Sequence, residues 1–168
     1  KLAIEALGAR EGKQIAMGHT ASSANRMAYT FKEPIGVVAA ISAFNHPLDL
    51  AIHQVIPAIA VGCSVIIKPA TQTPMSAIRL VEILEEAGLP KGWAQAVVCD
   101  REGGELLATS AKVNALTFIG SGKVGWYLNS KVAPGTRVAL EHGGVAPVIV
   151  EADANIDELI PSIGKGGF

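Results

Sequence analysis

The sequence predicts a doubly wound parallel α/β fold preceded by a β-hairpin arm. Three observations predict it. Apolar runs of strand length recur along the chain, each followed by a stretch with helical spacing. Those runs are filled by Val, Ile and Ala without the alternation of a half-exposed strand, as expected of parallel strands covered on both faces. The run Phe118-Ile119-Gly120-Ser121-Gly122-Lys123-Val124-Gly125 joins one such strand to a helix through closely spaced glycines.

Taken in order, residues 1–12 read as the end of a preceding helix, with Gly8 as its terminator. Residues 13–33 are polar with alternating small side chains and read as a loose hairpin, Gln14 to Met17 paired with Arg26 to Phe31. At Pro34 the texture changes, and residues 34–168 read as one domain. Ile35 to Ala40 is a buried strand, Pro47 to Gly62 a helix stopped by glycine, and Val65 to Lys68 the next strand. Pro74 to Gly88 is an amphipathic helix with Ile78, Val81 and Leu84 on one stripe and Glu82, Glu85 and Glu86 on the other face. Gln95 to Cys99 is a strand, Gly103 to Ser110 a short helix, Val113 to Ile119 a strand and Ser121 to Val132 a helix. Arg137 to Leu140 and Pro147 to Val150 are two further strands, and Asn155 to Lys165 is the closing helix. Because the chain opens and closes inside such patterns, it is expected to be part of a longer protein.

Composition narrows the function. The 168 residues are 49% hydrophobic and 17% charged, enough to bury a substantial core. A net charge of −1 without a basic run argues against nucleic acid or a membrane surface as partner. No apolar stretch reaches membrane length, so a cytoplasmic protein is expected. Cys63 and Cys99 are too few for a disulfide framework and, lying in strand-like runs, read as buried inert thiols. His19, His46 and His53 lack metal-ligand spacing and acidic companions, so no metal is assigned.

The glycine turn carries more information. Glycines let backbone N–H groups approach a ligand, and the helix that follows presents a partial positive charge. Read literally it is G-x-G-x-x-G, a dinucleotide signature, although a glycine turn before a helix is also ordinary βα geometry. Three other segments share its position at the carboxyl end of a predicted strand: Ala43-Phe44-Asn45-His46-Pro47, Lys68-Pro69-Ala70-Thr71-Gln72-Thr73-Pro74 and Leu140-Glu141-His142-Gly143-Gly144. Such ends are where open α/β sheets bind ligands.

In this order and at these spacings the four segments resemble the aldehyde dehydrogenase superfamily, over essentially the whole chain. The resemblance implies a Rossmann-like domain that binds NADP or NAD, and oxidation of an aldehyde to a carboxylic acid through a cysteine thiohemiacetal and thioester. It implies that Asn45 donates its amide to the oxyanion, and that Glu141 activates the water that hydrolyses the thioester. It implies cofactor contacts from Ser42, Phe44, Lys68, Thr71, Gly120, Ser121 and Gly125, with Lys68 and Thr71 at the adenosine ribose. Taken alone, Asn45 could be a helix N-cap, Lys68 a solvated strand-end lysine and Glu141 a solvated loop carboxylate. Glu141 also stands where an ordinary dinucleotide fingerprint would place its ribose acid, about twenty residues past the glycine turn.

The chain departs from the family pattern at two positions. Thr71 stands where NAD-preferring members often carry a glutamate that repels a 2′-phosphate, so NADP is expected to be tolerated or favoured. His142 follows Glu141 where most relatives have an apolar residue, and its imidazole could hydrogen-bond the base or face solvent. The family's nucleophile is a cysteine C-terminal to the general base, whereas Cys63 and Cys99 both precede Glu141. The chain is therefore expected to lack its nucleophile and to be inactive alone. The hairpin resembles the family's oligomerisation arm, which implies a homo-oligomer in the intact protein. The Glu33-to-Pro47 stretch and Thr71 look most like members acting on small oxidised aldehydes such as lactaldehyde or glyceraldehyde 3-phosphate. Two alternatives stay open: a CoA-acylating or acyl-phosphate-reducing relative, against which Glu141 argues, and a stand-alone nucleotide-binding module.

Overall fold

The computed structural model describes residues 2–8, 11–144 and 147–167. Its elements are α1 (Leu2–Gly8), β1 (Gln14–Ile15), β2 (Ala28–Tyr29), β3 (Val37–Ile41), α2 (Pro47–Ala60), β4 (Ser64–Lys68), α3 (Met75–Glu86), β5 (Ala94–Ala96), α4 (Arg101–Thr109), β6 (Ala115–Gly120), α5 (Gly122–Asn129), β7 (Arg137–His142) and α6 (Ile156–Gly167). Strands β1 and β2 form a small antiparallel hairpin, with Gln14 opposite Tyr29 and Ile15 opposite Ala28. The other five make a parallel sheet of order β5-β4-β3-β6-β7. The chain starts this sheet at its centre, builds outward through β4 and β5, then returns to the other side of β3 for β6 and β7. Connections leave β3 and β6 in opposite directions, so the switch point, with its crevice at the carboxyl edge, lies between them.

Alternation along the strands decides which face each side chain serves. Val38 and Ala40 of β3 and Val65 and Ile67 of β4 pack with Ala51 and Val55 of α2 and Ala77 and Leu80 of α3. Ala39 of β3 and Leu116 and Phe118 of β6 point the other way, against Ala108 of α4 and Leu128 of α5. The same parity turns Ile41, Lys68 and Phe118 toward α4 and α5, which matters below. Thr117 faces α2, where the buried Gln54 carboxamide donates from Nε2 to the carbonyls of Ile41 (3.1 Å) and Thr117 (3.0 Å) and to the Thr117 hydroxyl (3.2 Å). One side chain thus stitches β3 to β6 directly beneath the crevice.

Three expectations are corrected. Pro147 to Val150 is not a strand: the segment is exposed, with Ile149 at 82%, and among the described residues no strand pairs with it. Cys99 is neither in a strand nor fully buried, because β5 ends at Ala96 and the chain turns there toward α4. On α3 the deepest residues are Ala77 and Leu80, with Val81 and Leu84 half-buried beside them, so the apolar stripe is centred a residue earlier than the pattern of large side chains suggests.

Candidate functional site

A cleft of about 610 Å³ opens at the carboxyl edge over the switch point. Its walls are Ile41 to Asn45 after β3, Ala70 after β4, Phe118 to Ser121 at the end of β6, Val124 on α5, and Glu141 to Gly143 at the end of β7. Ser42, Phe44, Asn45, Gly120, Ser121 and Glu141, drawn from three separate segments, therefore meet around one hollow. Asn45 is exposed and does not cap α2: the capping position is His46, whose side chain makes no capping bond. Its carboxamide remains available to a ligand. Asn45 also borders a shallow groove of about 380 Å³ along the first turns of α2, lined by His46, Pro47, Leu48, Asp49 and Ile52.

Two polar groups in the cleft have no use within the described protein. The Ser42 hydroxyl is buried with no hydrogen-bond partner. Ser121 occupies the N-cap of α5, yet its side chain makes no capping bond. A buried hydroxyl left unpaired costs on the order of 1–3 kcal/mol; Ser42 bears that cost, whereas Ser121 is exposed at the cleft wall. The backbone N–H groups of the first turn of α5 open onto the same side.

Lys68 and Thr71 fall instead in a second cavity of about 230 Å³ between α4 and α5. Ile41, Phe118, Val124, Tyr127 and Leu128 give it apolar walls, and Lys68, Thr71, Arg101 and Glu105 supply its polar groups. Ile41, Phe118 and Val124 line both hollows, so the two adjoin. The Lys68 stem crosses close over Gly104, where an added Cβ would stand 3.0 Å from Cδ and 3.1 Å from Cε, and its ammonium donates to the Pro69 carbonyl at 3.1 Å. The Tyr127 hydroxyl donates to Glu105 Oε1 at 2.7 Å. That bond, followed by burial, raises the Tyr127 pKa above the ordinary tyrosine value.

Gly125 lines neither hollow. It is buried, and a Cβ there would meet His142 Cδ2 at 2.9 Å and Phe118 at 3.2 Å. Its absent side chain makes room for the neighbouring strands. His142 takes neither of its expected positions: alternation along β7 turns its half-buried ring onto α5, edge-on to Trp126 with centroids 5.3 Å apart. Gly143 follows with φ of +72°, the left-handed turn that ends β7 beyond Glu141. The sequence reading missed Arg101, Glu105 and Tyr127. No motif marks them; the only signal was that α4 leads into β6 and α5 leaves it, β6 being a strand that borders the switch point.

The model of the aldehyde dehydrogenase family matches residues 2–168. The chain is 44% identical over 158 residues to a 3-sulfolactaldehyde dehydrogenase of Priestia aryabhattai, an alignment covering 94% of this chain and 33% of that protein. Among solved structures, an aldehyde dehydrogenase from Physcomitrella patens in complex with the reaction product succinate superposes with a TM-score of 0.86 at 36% identity, covering 99% of this chain and 35% of that one. A Staphylococcus aureus betaine aldehyde dehydrogenase variant in complex with NAD+ gives a TM-score of 0.86 at 30% identity, covering 99% of this chain and 33% of its own. The chain thus spans about a third of the length of these relatives. By its family model, its relatives and its fold, this chain belongs to the aldehyde dehydrogenase family.

Proposed function

We propose that this chain is the cofactor-binding part of an NAD(P)-dependent aldehyde dehydrogenase that oxidises a small aldehyde to its carboxylic acid. The observation that carries this reading is the gathering of Asn45, Glu141, Ser42 and Ser121 around one cleft at the switch point, with a second, partly apolar cavity adjoining it. The two hollows match the two halves of a dinucleotide. In this reading the nicotinamide end would lie in the cleft by Asn45 and Glu141, and the adenosine end between α4 and α5 by Lys68 and Thr71. Ser42, Ser121 and the first-turn N–H groups of α5 would hold the bridging pyrophosphate and ribose. Bound there, the nicotinamide supplies the acceptor for the hydride leaving the aldehyde carbon.

The protein's own groups do the rest. The Asn45 carboxamide donates to the oxygen that becomes negative when a thiolate adds to the carbonyl, a donor of the kind worth about 3 kcal/mol. Glu141, exposed at the rim of the cleft, accepts a proton from the water that releases the acid. The thiolate comes from outside residues 1–168, since Cys63 is buried before β4, at the opposite end of the sheet from the cleft, and Cys99 lines neither hollow. NADP is the favoured cofactor: Thr71 adds no negative charge beside Lys68, and Arg101 brings a second cation to the same cavity. The relatives named for 3-sulfolactaldehyde and crystallised with succinate support a small acid-bearing substrate. The hairpin β1–β2, with Ile15, Tyr29 and Phe31 exposed on and beside it, is the arm for association into a homo-oligomer.

Calorimetric titration of the chain with NADP and NAD tests the reading. Binding with NADP at least as tight as NAD is expected, and Thr71→Glu should lower the NADP preference by about tenfold or more. A folded chain that binds neither dinucleotide refutes it.

A further inference from the structure

We infer that the Glu105–Tyr127 pair reads the base of the cofactor, admitting a 6-aminopurine and rejecting a 6-oxopurine; this rests on the reading of the second cavity as the adenosine site. The argument begins with depth. Helices α4 and α5 each follow a strand, so both start at the carboxyl edge of the sheet and run back over its face. Arg101, the first residue of α4, stands at the rim with Lys68, at the end of β4, and Thr71 just beyond it. Glu105 lies one helical turn further in, about 6 Å along the axis, and Tyr127 stands on the second turn of α5 opposite it. Rim cations suit a ribose and its phosphate. A planar apolar ring fits the interior among Ile41, Phe118, Val124 and Leu128, with Glu105 and Tyr127 at its edge.

The chemistry of that edge is one-sided. An ionised carboxylate only accepts hydrogen bonds. Glu105 Oε1 already takes the Tyr127 O–H at 2.7 Å, which fixes the orientation of the carboxylate and leaves Oε2 open. The 6-amino group of adenine donates and would complete this acceptor. The 6-oxo group of hypoxanthine or guanine accepts, and would set oxygen against carboxylate oxygen. The pair is partly exposed, so the discrimination comes from repulsion between two acceptors and the lost bond, and it is modest. Lys68, held on the Pro69 carbonyl, and Arg101, at the start of α4, are the other charged groups lining the cavity, and both belong to the rim.

The test compares NADP with its hypoxanthine analogue by calorimetry on the chain and on Glu105→Gln and Tyr127→Phe. The parent should bind NADP at least about tenfold more tightly, roughly 1.4 kcal/mol. In Glu105→Gln the carboxamide can turn either an acceptor or a donor to the base, so the ratio should fall toward one while both dinucleotides still bind. Tyr127→Phe, which frees the carboxylate to rotate, should lower the ratio severalfold. A parent ratio near one overturns the inference. So does a Glu105→Gln variant that weakens both dinucleotides by the same factor, which would mark the pair as structural. If neither dinucleotide binds the folded parent, the cofactor reading itself fails and takes this inference with it.

Discussion

Gly104→Ala separates a cofactor role for Lys68 from a structural one. The added methyl would stand 3.0 Å from Lys68 Cδ and 3.1 Å from Cε, tighter than ordinary van der Waals contact, so the flexible stem must give by a few tenths of an ångström. Moving it puts at risk the 3.1 Å bond from Nζ to the Pro69 carbonyl, worth about 1 kcal/mol net. Against that, alanine within a helix is favoured over glycine by about 0.8–1 kcal/mol. The two contributions nearly cancel, so the melting temperature should move by no more than a few degrees. Affinity should respond differently. A charge-assisted bond from the ammonium to the ribose or its 2′-phosphate is worth about 1.5–3 kcal/mol, and displacing Nζ forfeits much of it. Calorimetry should then show NADP binding weakened by about tenfold or more, with NAD less affected. Unchanged NADP affinity at unchanged melting temperature would refute the placement of the phosphate beside Lys68.

Two further outcomes follow from the same structure. Gln54→Leu removes the donor shared by the Ile41 and Thr117 carbonyls and leaves both without it beneath the cleft, so denaturant unfolding should show a loss of about 2–3 kcal/mol; a loss below about 0.5 kcal/mol would mean that the stitch contributes little. Tyr127 donates its proton to Glu105, which raises its folded pKa above the unfolded value. The stability from this bond is therefore complete below about pH 10 and lost as pH rises through the folded pKa. Ultraviolet difference titration should show a tyrosine ionising late in the parent and earlier in Glu105→Gln.

The order of strands and helices was legible because parallel strands covered on both faces are written as apolar runs, and the first two helices between them, α2 and α3, stop at Gly62 and Gly88. The candidate positions at strand ends were legible for the same reason: Asn45, Lys68, Gly120 and Glu141 each stand at or just after the close of such a run and line one of the two hollows. Residues contributed by helices were not. Arg101, Glu105 and Tyr127 look like any other polar helical surface, and only the packing of α4 beside α5 turns them toward a shared cavity. Gly125 shows the converse. It sits inside the glycine motif yet lies under Phe118 and His142, contacts of α5 with β6 and β7 that no local pattern reveals. Pro147 to Val150 failed differently, since its composition satisfies the rule for a buried strand but none of the described residues covers it.

The division between the two hollows has a consequence for how activity can be tuned. Asn45 and Glu141 line the first only, Lys68, Thr71, Arg101, Glu105 and Tyr127 the second only, and the three residues common to both (Ile41, Phe118, Val124) are apolar. Among the described residues, no charged or hydrogen-bonding side chain therefore lines both hollows. The wall between them is also stiff: Ile41 and Phe118 are paired in register across β3 and β6, and Gln54 clamps the strands beneath. Substitutions that share no polar partner and do not deform the wall should add in free energy to within about 0.5 kcal/mol. In the full-length enzyme, Asn45→Ala should lower kcat by 10²–10³, roughly 3–4 kcal/mol, leaving the NADP to NAD affinity ratio unchanged. Thr71→Glu should shift that ratio by about tenfold and leave the Asn45→Ala defect in kcat as it was. The double variant should show the product of the two effects. A departure of more than about 1 kcal/mol from that product would mean that cofactor position transmits to Asn45, and the two hollows would then have to be treated as one site.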